Sequence, residues 1–133
     1  MSAAQLIAAY ALRPHPFEGH WREETGETSE CEGIQLLEGT EEAAWHLLFG
    51  ATQYELREGG PLLISISEDG QSARAVTLQR AGDAIALPPG AIRTLSCLGR
   101  YALFAVRWKN DHPVSDRVFM PDHWIPGAGC DGG

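Results

Sequence analysis

Hydrophobic residues recur along this chain in two rhythms. Near the start, Leu6, Ile7 and Tyr10 fall on one face of a 3.6-residue period, and Ser2 stands where a helix N-cap belongs. Pro14 is expected to end that helix, giving an N-terminal helical segment over residues 1–13. From Gly33 onward the period shortens to two. The stretches 34–37, 44–49, 53–57, 62–67, 73–79, 84–87, 94–98 and 101–109 each read as a short strand. In 62–67, Leu62, Ile64 and Ile66 alternate with Leu63, Ser65 and Ser67. Gly59-Gly60-Pro61 and Asp69-Gly70 punctuate the run, the latter as a hairpin turn. No helical period intervenes, so an all-β sandwich or barrel over residues 33–109 is predicted. Residues 23–32 are acidic and rich in Gly, Thr and Ser, and read as a solvated loop. The tail, residues 110–133, loses all periodicity and ends in a glycine-rich run expected to fray.

The length of 133 residues fits one domain able to bury a sizeable core without staples. Hydrophobic residues at 44% and charged ones at 21% match a soluble globular chain. A formal net charge of -8 argues against a nucleic-acid partner, which needs a basic stripe. Residues 5–12 are apolar but too short to span a bilayer and lack a basic leader, so no membrane partner is expected. Cys31, Cys97 and Cys130 form no CxxC pair and no zinc-ligand spacing, which suits reduced thiols and a cytoplasmic location.

Two regions carry a resemblance to a known family. Pro14-His15-Pro16-Phe17-Glu18-Gly19-His20-Trp21-Arg22-Glu23 resembles the opening signature PHPEGGYYRE of the DUF985 (Cupin_5) group of small cupins, with Trp21 as the aromatic equivalent. Further along, Gly82, Pro88, Pro89, Gly90 and Arg93 follow the spacing of the second cupin motif, in which a histidine stands at the position of Arg93. Gly39, His46, Leu48, Thr52 and Gly59 follow the first motif, one residue longer than usual before His46. The resemblance implies a single-domain double-stranded β-helix (jelly-roll barrel) with a short N-terminal helix, a small-molecule pocket inside the barrel, and a homodimer.

The same comparison bears on the chemistry. The four positions where cupins place metal ligands hold His46, Leu48, Thr52 and Arg93. Leucine has no lone pair, threonine ligates poorly, and a permanent guanidinium repels a cation. No metal and no other cofactor is therefore expected. Where the group commonly reads DEIWHFYAG, this chain has Ala51-Thr52-Gln53-Tyr54-Glu55-Leu56-Arg57-Glu58-Gly59, so the acidic pair is replaced and Glu55 stands at the histidine position.

If the register holds, strand alternation turns His46, Leu48, Thr52 and Tyr54 into the barrel, with Arg93 entering from the second motif. The pocket would bind a small polar or acidic organic molecule. Arg93 suits a carboxylate or phosphate through its planar fork, and Thr52, Leu48, Trp45 and His20 are the further candidate ligand contacts. In an enzyme, His46 would act as base and Tyr54 as acid in metal-independent proton transfer, such as epimerisation, isomerisation or cyclisation, an arrangement similar to that of metal-free cupin epimerases. The alternatives are a non-catalytic metabolite-binding or sensing module, and a metal-dependent oxygenase or isomerase whose ligands lie elsewhere. His15 between prolines reads as structural, and His112 and His123 as exposed tail residues.

Overall fold

The computed structural model describes residues 2–15, 18–25, 30–39, 41–109, 117–121 and 123–127. One helix, α1 (Ala3–Ala9), precedes the strands β1 (Arg13–Pro14), β2 (His20–Thr25), β3 (Glu30–Glu38), β4 (His46–Leu48), β5 (Thr52–Gly59) and β6 (Leu62–Ser67). Strands β7 (Arg74–Leu78), β8 (Ala84–Leu87), β9 (Ile92–Cys97), β10 (Tyr101–Lys109) and β11 (Arg117–Phe119) follow. A six-stranded sheet in the order β1-β2-β3-β10-β5-β8 faces a five-stranded one in the order β11-β4-β9-β6-β7, and every pairing is antiparallel.

The alternation in the sequence is what closes this barrel. Leu62, Ile64 and Ile66 from β6, Leu95 from β9, Leu56 from β5 and Phe104 from β10 all point between the sheets and are almost wholly buried. Their strand neighbours face outward. On β3 and β10 the outer face is apolar as well, because α1 covers it. Leu6 and Leu12 pack on Ile34, Leu36, Leu103 and Ala105 as a second, smaller core. Burial of a Leu or Phe side chain contributes roughly 1.5–3 kcal/mol, so these two clusters are the main source of stability.

Three expectations are corrected. Residues 23–32 do not form a loop throughout: β2 runs to Thr25 and pairs with β3, which begins at Glu30. Glu23 and its charged neighbours hid a strand held by backbone ladder bonds more than by side-chain burial. The helix stops at Ala9, well before Pro14, which lies in β1. Ala11 at φ 54° breaks the turn, and Tyr10 donates its N–H back to Leu6. The barrel strands also extend beyond 33–109, because β11 lies in the tail. Ser2 does cap α1, with a reciprocal box in which Ser2 and Gln5 bond each other's backbone N–H. The Asp69-Gly70 turn joins β6 to β7, with the Asp69 carboxylate accepting from the Gln71 and Ser72 N–H groups.

Candidate functional site

Between the two sheets lies a chamber lined by His15, Glu18, Trp21, Gln35, Leu48, Tyr54, Trp108 and Arg117. The room inside that a water molecule can reach is about 10 Å³, enough for roughly one water. The pleat of each strand explains the lining. Trp21 pairs with Gln35 across β2 and β3, Tyr54 with Val106 across β5 and β10, and Leu48 with Arg117 across β4 and β11. Each pair shares a face of its sheet, and here that face is the inner one.

Arg93 and His46 are register partners on β9 and β4, and both are wholly buried. The Arg93 guanidinium donates from Nε and Nη2 to the Ala91 carbonyl, at 3.2 and 3.0 Å, and from Nη1 to the Tyr54 hydroxyl at 3.1 Å. Those bonds occupy three of its five N–H groups. Among the described residues no carboxylate lies within ion-pair distance of it. Tyr54 accepts the Arg93 bond, and its own hydroxyl hydrogen meets no acceptor among the described residues. Burial pushes the Tyr54 pKa up, so the hydroxyl stays protonated and remains a donor.

His46 Nδ1 stands 2.7 Å from the Ala44 carbonyl oxygen. A carbonyl only accepts, so Nδ1 carries the proton and Nε2 presents a bare lone pair. That Nε2 is buried without a hydrogen-bond partner. Desolvation lowers the His46 pKa to about 4, with Glu18 pulling it back up and Arg117 and Arg93 pressing it down. The ring is neutral at pH 7.

Sequence reasoning passed over the pair that closes the chamber. Glu18 and Arg117 form an ion pair at 3.2 Å, with side chains only 6% and 3% exposed. Burial works against the Glu18 carboxylate, but Arg117, His46, Gln35 and His15 together hold its pKa below the usual value. Its Oε2 is buried and has no partner. Glu18 is set by a tight turn in which His15 N–H donates to the Gly19 carbonyl and Glu18 N–H donates to His15 Nδ1. Gly19 adopts φ +58°, and a Cβ there would collide with the Leu36 carbonyl oxygen. Gln35 holds the same turn by donating to the Glu18 carbonyl at 3.2 Å. His15, expected to be only structural, lines the chamber and rests edge-on against Trp21 at 4.6 Å. Its pKa is also lowered to about 4, by burial first.

The structure thus brings His46, Tyr54, Arg93 and Leu48 into the barrel interior together. Thr52 is buried too, but its hydroxyl turns to the Gly50 carbonyl at 3.4 Å. Two expected contacts lie elsewhere. Trp45 alternates away from His46 and packs edge-on against Trp124, while its carbonyl accepts from Met120. His20 pairs with Leu36, on the face of the sheet that α1 covers, opposite to the chamber. His123 is exposed, and His112 and Cys130 lie outside the described residues. Cys31 and Cys97 are buried in the core.

No protein-family model matches the chain, and no curated protein matches it. Solved structures do. A hypothetical protein from Leishmania major superposes with a TM-score of 0.77 at 18% identity, over 90% of this chain and 88% of that one. A protein from Shewanella oneidensis gives a TM-score of 0.81 at 18% identity, over 90% and 85%. An oxalate decarboxylase variant from Bacillus subtilis gives 0.70 at 14% identity, over 82% of this chain but only 30% of its own. The fold is that of the cupins. An oxalate oxidase holding the substrate analogue glycolate shares the cupin fold at 19% identity, with a TM-score of 0.65.

The cupin fold raises the question of a metal, and the residues here do not fit one. Of the four ligand positions in the cupin motifs, His46 alone offers a strong donor, and Arg93 brings a fixed cation to the same place. Among the described residues no cluster of three or more His, Cys, Asp or Glu is placed to hold a metal. No helix among them is long and apolar enough to cross a membrane.

Proposed function

We propose that this protein binds a small organic acid inside its barrel, with Arg93 receiving the carboxylate and Tyr54 donating a further hydrogen bond. The observation that carries this reading is the burial of the Arg93 guanidinium without a carboxylate partner. A buried charge of that kind is costly unless an opposite charge meets it. Among the described residues Arg93 meets no carboxylate, so its positive charge lacks a counter-ion there. One bound monoanion balances it. The chamber has room for about one water and neither Arg93 nor His46 lines it, so an acid reaches Arg93 only with rearrangement of the interior. The likeness of residues 14–23 to the DUF985 signature supports placing the chain in that group as part of the same proposal.

The test is calorimetric titration of propionate and butyrate into the wild-type protein and Arg93→Met, with native mass spectrometry of the purified protein for a carried-over organic mass. Two charge-assisted bonds at about 1.5–3 kcal/mol each predict at least a tenfold loss of affinity in the variant. Equal affinity in both proteins overturns the reading.

A catalytic role is the second reading, favoured by the bare His46 Nε2, whose register partner Arg93 bonds the Tyr54 hydroxyl. At neutral pH the two groups are poorly matched to acid–base work, since His46 titrates near 4 and Tyr54 above its usual value. An entering anion raises the His46 pKa and improves that match. Binding comes first in either case.

A further inference from the structure

Resting on the acid-binding reading, the barrel interior says more about what the acid must carry. Two buried acceptors, His46 Nε2 and Glu18 Oε2, have no donor among the described residues. Both belong to side chains more than nine-tenths buried, one at the Arg93 register position and the other at the chamber wall. Their protonation makes them acceptors only. The Nδ1 proton of His46 is committed to Ala44, and Glu18 is held as a carboxylate by Arg117. A simple carboxylate ligand would satisfy Arg93 and Tyr54 and leave both acceptors stranded, each at a cost of roughly 1–3 kcal/mol.

We infer that the ligand is a small hydroxy acid, whose carboxylate meets Arg93 and whose hydroxyl donates to one of the two orphan acceptors. Charge selects the hydroxyl over an ammonium. A hydroxyl donates without adding charge, whereas the ammonium of a zwitterionic amino acid brings a further cation into an interior that already holds Arg93 and Arg117.

Matched pairs that differ only by the hydroxyl test this: lactate against propionate, and 3-hydroxybutyrate against butyrate, titrated into the wild-type protein by calorimetry, with alanine as the zwitterion. The ¹⁵N resonance of His46 Nε2 is followed in the same titrations. At least one hydroxy acid is expected to bind tenfold or more tighter than its deoxy partner and tighter than alanine, and to shift Nε2 upfield as its lone pair takes up a hydrogen bond. In His46→Phe that preference is expected to fall; if the variant does not fold, the wild-type series decides. Deoxy acids that bind as well as hydroxy acids, with Arg93→Met weakening both, overturn the hydroxyl assignment and leave acid binding standing. No binding by any of the acids overturns both. A preference unchanged in His46→Phe, or Nε2 unmoved, removes His46 from the hydroxyl's site.

Discussion

Replacing Arg117 with leucine is the sharpest test of how the chamber is closed. The Glu18–Arg117 pair is only 6% and 3% exposed, so the variant leaves a carboxylate buried with its main counter-charge gone. Removing one partner of such a pair costs about 3–5 kcal/mol, a large share of the 5–15 kcal/mol typical of a domain. The pH dependence carries the more specific signature. In the wild type Glu18 sits below the usual carboxylate pKa, so its contribution is full above that value and is lost as pH falls through the folded one. Desolvation is the largest influence on Glu18 and Arg117 the foremost opposing charge. Without Arg117 the folded pKa moves above the usual value, and the sign reverses: stability is then lost as pH rises from about 4.3 upward, by at most about 1.4 kcal/mol per pH unit. Urea unfolding of both proteins near pH 5 and pH 7.5 reads this directly, with an unchanged m-value as the control. The deficit of Arg117→Leu is expected to be larger at the higher pH. The double variant Glu18→Leu/Arg117→Leu should regain most of the loss, because no orphan charge remains. A deficit under about 1 kcal/mol at pH 7.5, or one that grows toward acid pH, refutes the argument.

His46 gives a second pH signature. Its pKa is near 4 in the fold against 6.5 when free, so the unfolded chain takes up a proton first and stability falls as pH drops from 6.5 toward 4, by about 3 kcal/mol in total. His15, lowered likewise to about 4, adds a like slope, so His46→Phe should remove about half of the combined slope in urea midpoints taken across the window; an unchanged slope means His46 does not carry it. Arg93→Met is expected to match or exceed the wild type in thermal stability while losing acid affinity, since it trades a buried charge for a well-sized apolar side chain. A loss beyond about 2 kcal/mol would mark Arg93 as a structural arginine. Gly19→Ala should cost about 2 kcal/mol or more, through the positive φ and the collision with Leu36, and also weaken acid binding by shifting Glu18. Wild-type affinity in a folded Gly19→Ala would show that the turn does not set the site.

The parts of the barrel legible in the sequence are those where one face is dry and the other wet. Alternate residues are buried through β9 and in the first five positions of β5, so Tyr54 could be placed inside from period, whereas Arg93, just ahead of the expected strand 94–98, was placed by the spacing of the second motif. That rule fails for β2, where His20 and Arg22 turn toward one face and Trp21 and Glu23 toward the other, and neither set is uniformly apolar. It fails again for Glu18 and Arg117, which are 99 residues apart and meet because β11 pairs with β4. No local pattern marks such a contact. Trp45 and His20 were misplaced for a related reason: a candidate next to an interior residue points to the opposite face, and proximity in sequence is then separation across the sheet.

Under the acid-binding proposal, the four positions that match the cupin ligand motifs suit an anion. In a metal-binding site, imidazoles and a carboxylate surround a cation that the protein must recruit. Here the chain supplies the cation itself, as the Arg93 guanidinium, fixed by the Ala91 carbonyl and the Tyr54 hydroxyl. A guanidinium attracts and orients a carboxylate, but it has no open coordination position and no redox chemistry. Leu48, beside it at another ligand position, keeps the site dry and so strengthens the attraction. An apolar filling of the same volume would make a more stable barrel. Under the acid-binding proposal, the buried set of Arg93, His46 and Glu18, costly to the fold by itself, is relieved when a ligand brings a charge and a donor.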